Sequence, residues 1–339
     1  MEREIEFWKF AASKLKQNQE VILLVVAEST GSSPGRQGFK MFVAEDGLVG
    51  SIGGGVMEIR LVEIAKEDLK DKSKNPKNQT AQSLVKSEIR NPKSKIVEQV
   101  HRKNSPNSSG MICSGKQTII FYKLNLSHLK TVGIIINSLE NNQPVILCIS
   151  NAEFDVSKMR FDDSDFQFKQ TGEHEFVYRE KLGFKNNLYI VGGGHCALAL
   201  SELVSKMDFR ISLFDDRADL NTLVKNRFVQ EKKILESYAQ IGDFIPSGAN
   251  VYVVVMTLGY IFDELVIRKL IDKDFKYFGV LGSRAKMKTL LRNLEREGFP
   301  KEQLNKIRTP IGLPINSRTP EEIAVSIAAE IIAVKNAKS

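Results

Sequence analysis

Apolar residues recur at helical spacing near the start of the chain, where Ile5, Trp8, Phe10, Ala11 and Leu15 predict a helix over residues 5–17. Val21 to Ala27 is a continuous apolar run and reads as a buried strand. Phe39 to Ala44 and Leu48 to Ile52 flank the turn dipeptide Asp46-Gly47 and predict a hairpin. Ile59, Val62, Ala65 and Leu69 put a helix over residues 56–69, beginning beside Gly53, Gly54 and Gly55. Strands are expected near Lys95 to Val100, Gln117 to Leu124 and Val145 to Ile149, with a helix over 128–139. Phe154 to Tyr178 is polar and reads as irregular, and a domain boundary is expected between Lys181 and Asn187.

From Leu188 the pattern changes. Short apolar strands at Leu188 to Val191, Arg210 to Phe214, Val251 to Met256 and Tyr277 to Leu281 alternate with helical stretches. Those stretches begin after Gly194 and run over 262–271, 286–297 and 321–334. Strand and helix alternating at this spacing predict a parallel, doubly wound α/β sheet. The expected architecture is therefore an α+β domain over residues 1–183 followed by a Rossmann-like domain over 187–335.

Composition bounds the function classes. The 339 residues are 42% apolar and 27% charged, as in globular proteins, and no uncharged apolar stretch approaches the ~20 residues a bilayer span needs. The first ten residues have no apolar signal region, and three cysteines without close spacing argue against a disulfide framework, so a reducing cytoplasm is expected. The net charge is +8, and the segment from Lys70 to Lys103 carries ten basic residues against three acidic ones. Its polar composition reads as a solvated insertion over about 70–104, the alternative being a patch for an acidic partner or phosphorylated ligand. It lacks the aromatic or Arg-rich interleaving of a nucleic-acid surface.

The strongest local motif is Gly192-x-Gly194-x-x-Ala197, after a strand and at a helix start. Its glycines allow a tight turn and close approach of backbone to a phosphate, and the small third residue lets helix and strand pack. Asp215 ends the next strand about 20 residues on, where a ribose-binding acid is expected. Arg217 favours a phosphorylated ribose or pairs with Asp215 or Asp216. His195 lies inside this loop, either as a ligand contact or as a helix-start histidine bonded to backbone.

Gly53, Gly54 and Gly55, with Glu58 one turn into the helix, form a second anion cradle by the same physics. The loop Gly31 to Gly38 is a third, contributing Ser33 and the cation Arg36. Cys113, between Gly110 and Gly115, is the one loop-like cysteine, a candidate soft metal ligand or an inert thiol. Ser283 and Arg284 follow a strand and are expected to face the ligand crevice. Thr319, Pro320 and Glu322 make a capping box.

Seven stretches occur in order: GSSPGRQGFKMFV, GLVGSIGGGVMEIR, GMICSGKQTIIFY, LYIVGGGHCALAL, LFDDR, FGVLGSRAKM and PIGLPINSRTPEEIAVSIAAEI. Together they resemble the XdhC/CoxI family, accessory proteins in the maturation of molybdenum hydroxylases such as xanthine dehydrogenase. The resemblance implies an N-terminal domain peculiar to the family and a C-terminal Rossmann domain. It implies binding of molybdenum cofactor (molybdopterin), help with its sulfuration and insertion into an apo-molybdenum hydroxylase, a cysteine desulfurase as a second partner, and a homodimer. This chain has Val56 after the glycine triplet where many members have Cys, Cys113-Ser114-Gly115 where many have Cys-Gly-Gly or Cys-Cys-Gly, and Thr257-Leu258 where many have Thr-His. The expected protein is a maturation chaperone without turnover of its own. The alternative is an NAD(P)-dependent oxidoreductase built on Gly192, Gly194 and Asp215, and a third reading is a nucleotide-gated scaffold.

Overall fold

A computed structural model describes residues 2–70, 94–100, 115–157, 164–172 and 175–337. The chain divides into two compact units, residues 1–183 and 184–339.

The first unit contains α1 (Glu2–Lys16), β1 (Val21–Gly31), β2 (Lys40–Ala44), β3 (Gly47–Gly50), α2 (Gly55–Lys70), β4 (Ser94–Val100), β5 (Gly115–Leu124), α3 (Leu129–Glu140), β6 (Val145–Ser150), β7 (Phe154–Ser157), β8 (Phe166–Gln170) and β9 (Phe176–Leu182). One antiparallel sheet runs β3-β2-β1-β5-β4 and a second runs β7-β6-β9-β8. The apolar run in β1 is continuous because both faces of the first sheet are covered. Leu23, Val25 and Ala27 face α1, α3 and the second sheet, while Ile22, Leu24 and Val26 face Leu61, Ala65 and Leu69 of α2. Trp8 is fully buried against Phe7 and Phe42.

The stretch Phe154 to Tyr178, expected to be irregular, contains β7, β8 and the start of β9. In β9 burial alternates strictly, but a charged residue occupies one of the buried positions. Phe176, Tyr178, Glu180 and Leu182 are buried, while Val177 is exposed and Arg179 and Lys181 are partly so. Glu180 is admitted to the interior because Lys40 pairs with it and the Tyr178 hydroxyl donates to it at 2.9 Å. Most of the basic segment between Lys70 and Lys103 lies outside the described residues. Its described part, β4, is an edge strand paired with β5.

The second unit contains β10 (Asn186–Val191), α4 (His195–Val204), β11 (Phe209–Asp215), α5 (Asn221–Lys225), β12 (Glu231–Ile234), α6 (Ile241–Phe244), β13 (Gly248–Val255), α7 (Tyr260–Leu270), β14 (Phe275–Val280), α8 (Arg284–Arg296), α9 (Lys301–Leu304) and α10 (Pro320–Asn336). Its sheet is parallel in the order β12-β11-β10-β13-β14, the predicted doubly wound arrangement. Chain direction reverses its progress across the sheet between β10 and β13, so the topological switch point lies there. Helices α4 and α10 cover one face, and α7 and α8 cover the other. Strand β12 escapes the hydrophobic pattern because its Glu-Lys-Lys-Ile sequence sits on an exposed edge. The Thr319–Glu322 capping box forms as expected at the start of α10.

Lys40→Met leaves the Glu180 carboxylate buried without its cation. A loss of about 3–5 kcal/mol is expected, read by urea denaturation followed by far-UV circular dichroism. Adding Glu180→Leu should recover much of it. A single variant as stable as wild type would show that the pair does not support the unit.

Candidate functional site

In the first unit, the ends of β1, β3 and β5 bring two glycine loops together. A side chain at Gly35 would lie 2.0 Å from the Ile52 carbonyl oxygen, and one at Gly53 would lie 2.5 Å from the Gly35 amide. The loops touch backbone to backbone, and only glycine fits between them. Gln117, buried in β5, ties them with its amide, donating to the Gly35 carbonyl at 3.0 Å and the Ile52 carbonyl at 3.4 Å. A side chain at Gly115 would lie 2.7 Å from the Ser33 amide. Ser33 is buried and donates to the Gly35 carbonyl at 3.1 Å, and exposed Arg36 donates to the Gly31 carbonyl at 3.3 Å.

Gly53, Gly54 and Gly55 all have positive φ. Gly53 is closed in by Gly35, whereas nothing lies within 4 Å of a side chain placed at Gly54 or Gly55. The inner donors of this cradle already hold an anion. Glu58 Oε2 accepts from the Ser51 hydroxyl at 2.7 Å, the Ile52 amide at 2.8 Å and the Gly54 amide at 3.0 Å. Burial opposes ionisation of Glu58, but these donors outweigh it and hold the carboxyl below its ordinary value. The outer face beside Gly54 and Gly55 is open space, and it leads to the first amides of α2, which have no intrahelical acceptor.

Cys113, the expected cofactor thiol and metal ligand, lies outside the described residues. Among the described residues no group of three or more His, Cys, Asp or Glu side chains could hold a metal. Cys148 and Cys196 are free and half-buried, and burial pushes both thiols up.

In the second unit, the loop after β10 forms the start of the strand-end crevice. Gly192 has φ +105°, and a side chain there would strike the Met256 carbonyl at 2.3 Å. The loop thus lies directly on the end of β13. Gly194 is the N-cap of α4 and is open, His195 is exposed beside it, and Ala197 is buried against the sheet. Asp215 is wholly buried and turned into this loop. Its Oδ2 accepts from the Gly193 amide at 2.6 Å and from Arg217 Nη2 at 2.8 Å. Burial opposes its ionisation, but Arg217 and the Gly193 amide hold it below the usual carboxylate range.

Ser283 and Arg284 were expected to face a ligand. Ser283 caps α8, its hydroxyl accepting from the Lys286 amide at 3.4 Å, and Arg284 is the exposed first residue of that helix. The loop after β13 holds a cluster that no sequence motif marks. Asp263 accepts from the Thr257 hydroxyl at 2.6 Å and its amide at 3.2 Å, with Lys286 at 3.7 Å. Burial raises the Asp263 carboxyl against the opposing pull of Thr257 and Lys286. An acid on the apolar stripe of Val266, Ile267 and Leu270 was its one signal in the sequence. Gln117 had a similar signal, a polar residue opening the otherwise apolar run of β5.

A doubly wound unit with a phosphate-type glycine loop and an α+β unit with paired glycine loops make up the two-unit architecture the sequence suggested. The model for the XdhC and CoxI family matches residues 14–75, and that for the XdhC Rossmann domain matches residues 188–331. The chain belongs to the XdhC and CoxI family. It is 29% identical over 163 residues to the uncharacterized protein YqeB of Escherichia coli (strain K12), covering 47% of this chain and 29% of that protein. It is 28% identical over 160 residues to a probable xanthine dehydrogenase subunit of Bacillus subtilis (strain 168), covering 46% of this chain and 45% of that protein. Each match spans less than half of the relative. A crystal structure described as a xanthine dehydrogenase from Bacillus halodurans shares the fold, with a TM-score of 0.69 over 99% of this chain and 96% of that one at 20% identity.

Two measurements check the first-unit geometry. Gly53→Ala should destabilise by about 1–3 kcal/mol more than Gly54→Ala, because only the former forces backbone against backbone. Equal losses in thermal or urea unfolding would contradict the closure. The lowered Glu58 carboxyl contributes stability that is present above its ordinary value of 4.5 and lost as pH falls through its folded value. Glu58→Gln should flatten that part of a stability profile taken from about pH 7 to about pH 3. An unchanged profile would remove Glu58 from the loop.

Proposed function

We propose that this chain is a molybdenum cofactor-binding accessory protein that assists sulfuration of the cofactor and its insertion into a xanthine dehydrogenase-type apo-enzyme, with no turnover of its own. Membership of the XdhC and CoxI family and the likeness to a probable xanthine dehydrogenase subunit support the client class. The single observation that carries the binding role is the joined pair of glycine loops with open space beside Gly54 and Gly55 at the start of α2. A molybdopterin carries a phosphate, and the first amides of α2 beside the open Gly54–Gly55 turn suit one. The inner amides do not, because Glu58 holds them. The cofactor, when bound, supplies the dithiolene-held molybdenum whose sulfido ligand the client needs. The chain's own residues hold its phosphate, keep the two loops in register through Gln117, and offer the thiol of Cys113 to the metal end. Cys113 precedes Gly115 by two residues in the chain, and Gly115 is packed on Ser33. A cysteine desulfurase as sulfur donor, a homodimer and a cytoplasmic location complete the proposal. No helix among the described residues is long and apolar enough to cross a membrane.

A second reading, an NAD(P)-dependent oxidoreductase, is favoured by the loop Gly192 to Ala197 alone. The sequence motifs supply no arranged proton-transfer pair of the Tyr-Lys or His-Asp kind for it.

Co-expression with an apo-hydroxylase of the xanthine dehydrogenase type tests the thiol role. Cys113→Ser should leave the fold intact and sharply reduce client activation and bound molybdopterin, whereas Cys148→Ser should do neither. Full activation by Cys113→Ser would sink the thiol and leave only the glycine loops as cofactor contacts.

A further inference from the structure

Asp215 stands where an acid takes the hydroxyl pair of an unphosphorylated ribose in a Rossmann site. Here that role is closed to it. Its Oδ1 accepts from the Arg217 amide and Arg217 Nε, both at 2.9 Å, while Oδ2 accepts from the Gly193 amide at 2.6 Å and Arg217 Nη2 at 2.8 Å. A carboxylate offers about four lone-pair positions, and all are filled in a side chain with no solvent exposure. Ribose hydroxyls would have to displace a bidentate guanidinium.

Arg217 is left as the group that faces outward. Its Nε and Nη2 each donate to Asp215, Asp216 stands 3.7 Å from Nε, and the side chain is about one-third exposed. The Asp215 clamp fixes the plane of the fork, and the donors it leaves over suit a phosphate oxygen pair.

An independent observation marks the same place as a ligand site. Tyr238, in the turn after β12, is 2% exposed, and its hydroxyl has no hydrogen-bond partner among the described residues. Ile234 pairs with Asp215 and the Leu235 amide donates to the Asp215 carbonyl at 2.9 Å, so the turn that carries Tyr238 follows directly beside the Asp215–Arg217 segment. The Asp216 amide lies toward its oxygen, and among the described residues the hydroxyl proton has no acceptor. A buried donor left unpaired is costly and calls for a partner. The Tyr238 ring lies 5.7 Å from that of Phe262, at the start of α7. Leu258 and Ile261 in the same connection are about three-quarters exposed. These elements all leave the C-terminal ends of the strands, where the open loop at Gly194 and the switch point also lie.

We propose that the second unit binds a nucleotide whose ribose carries a phosphate monoester, with Arg217 reading that phosphate, Asp215 acting as a positioning residue that aims Arg217, and Tyr238 donating its hydroxyl to the ligand. The apolar side chains of Leu258, Ile261 and Phe262 supply a surface for the flat base. Asp216 opposes an anion here and limits its affinity. The site lies wholly in the second unit and does not depend on the cofactor reading.

Calorimetric titration of the full chain with NADP+ and with NAD+ tests it. NADP+ is expected to bind at least about tenfold more tightly than NAD+. Arg217→Lys keeps the charge but loses the fork, and should cut that ratio several-fold. Tyr238→Phe keeps the ring and should weaken both nucleotides by a similar factor, leaving the ratio unchanged. Asp216→Asn should tighten NADP+ more than NAD+. Equal or tighter binding of NAD+, binding of neither nucleotide, or an unchanged ratio in Arg217→Lys would overturn the proposal.

Discussion

Two strand ends in the first unit approach until the carbonyl of Ile52 and the Cα of Gly35 leave no room for a side chain, and Gln117 bonds across the seam. Most of the arrangement around the loops depends on this closure. A buried Gln117 without its two carbonyl partners would cost about 1–3 kcal/mol, so sequence and seam hold each other in place. The seam turns the chain through three successive glycines of positive φ and aims the start of α2 outward. It also sets Ser33 against Gly115, where the chain returns two residues after Cys113.

The two units solve one electrostatic problem in the same way. Each has a glycine turn feeding a helix, a place that attracts anions. Each has filled the inner donors of that turn with its own carboxylate, Glu58 in one and Asp215 in the other. Both carboxyls are held below their ordinary values against the opposing effect of burial. These loops are therefore stable without a ligand, and a ligand meets an outer rim rather than an empty cradle. In the first unit the open space is beside Gly54 and Gly55 at the start of α2, and in the second it is at the partly exposed fork of Arg217.

The architecture was legible where burial leaves a period. The continuous run of β1, the hairpin of β2 and β3, and the alternating strands and helices after Leu188 all follow from covered faces. Strands β7 to β9 and β12 were not legible, because a buried ion pair and an exposed edge put charge where the pattern expects apolar side chains. The glycine loops stood out as motifs, but their internal occupants did not. Nothing in the spacing of Gly53 and Glu58, or of Gly193 and Asp215, says that the acid folds back onto the loop. Ser283 shows the same limit, since a serine at a strand end reads alike as a ligand contact and as the helix cap it is. Asp263 and Tyr238 became visible only through burial and missing or crowded partners, which belong to the packed chain.

The central claim is that the chain carries molybdenum cofactor. Purification of the wild-type protein from a molybdenum-replete host, followed by its absorbance spectrum, molybdenum content and released pterin, tests this most directly. Molybdenum and molybdopterin co-purifying in a fixed ratio to the protein are the predicted result. A protein that carries neither, and that takes up no molybdopterin when it is added, would contradict the account.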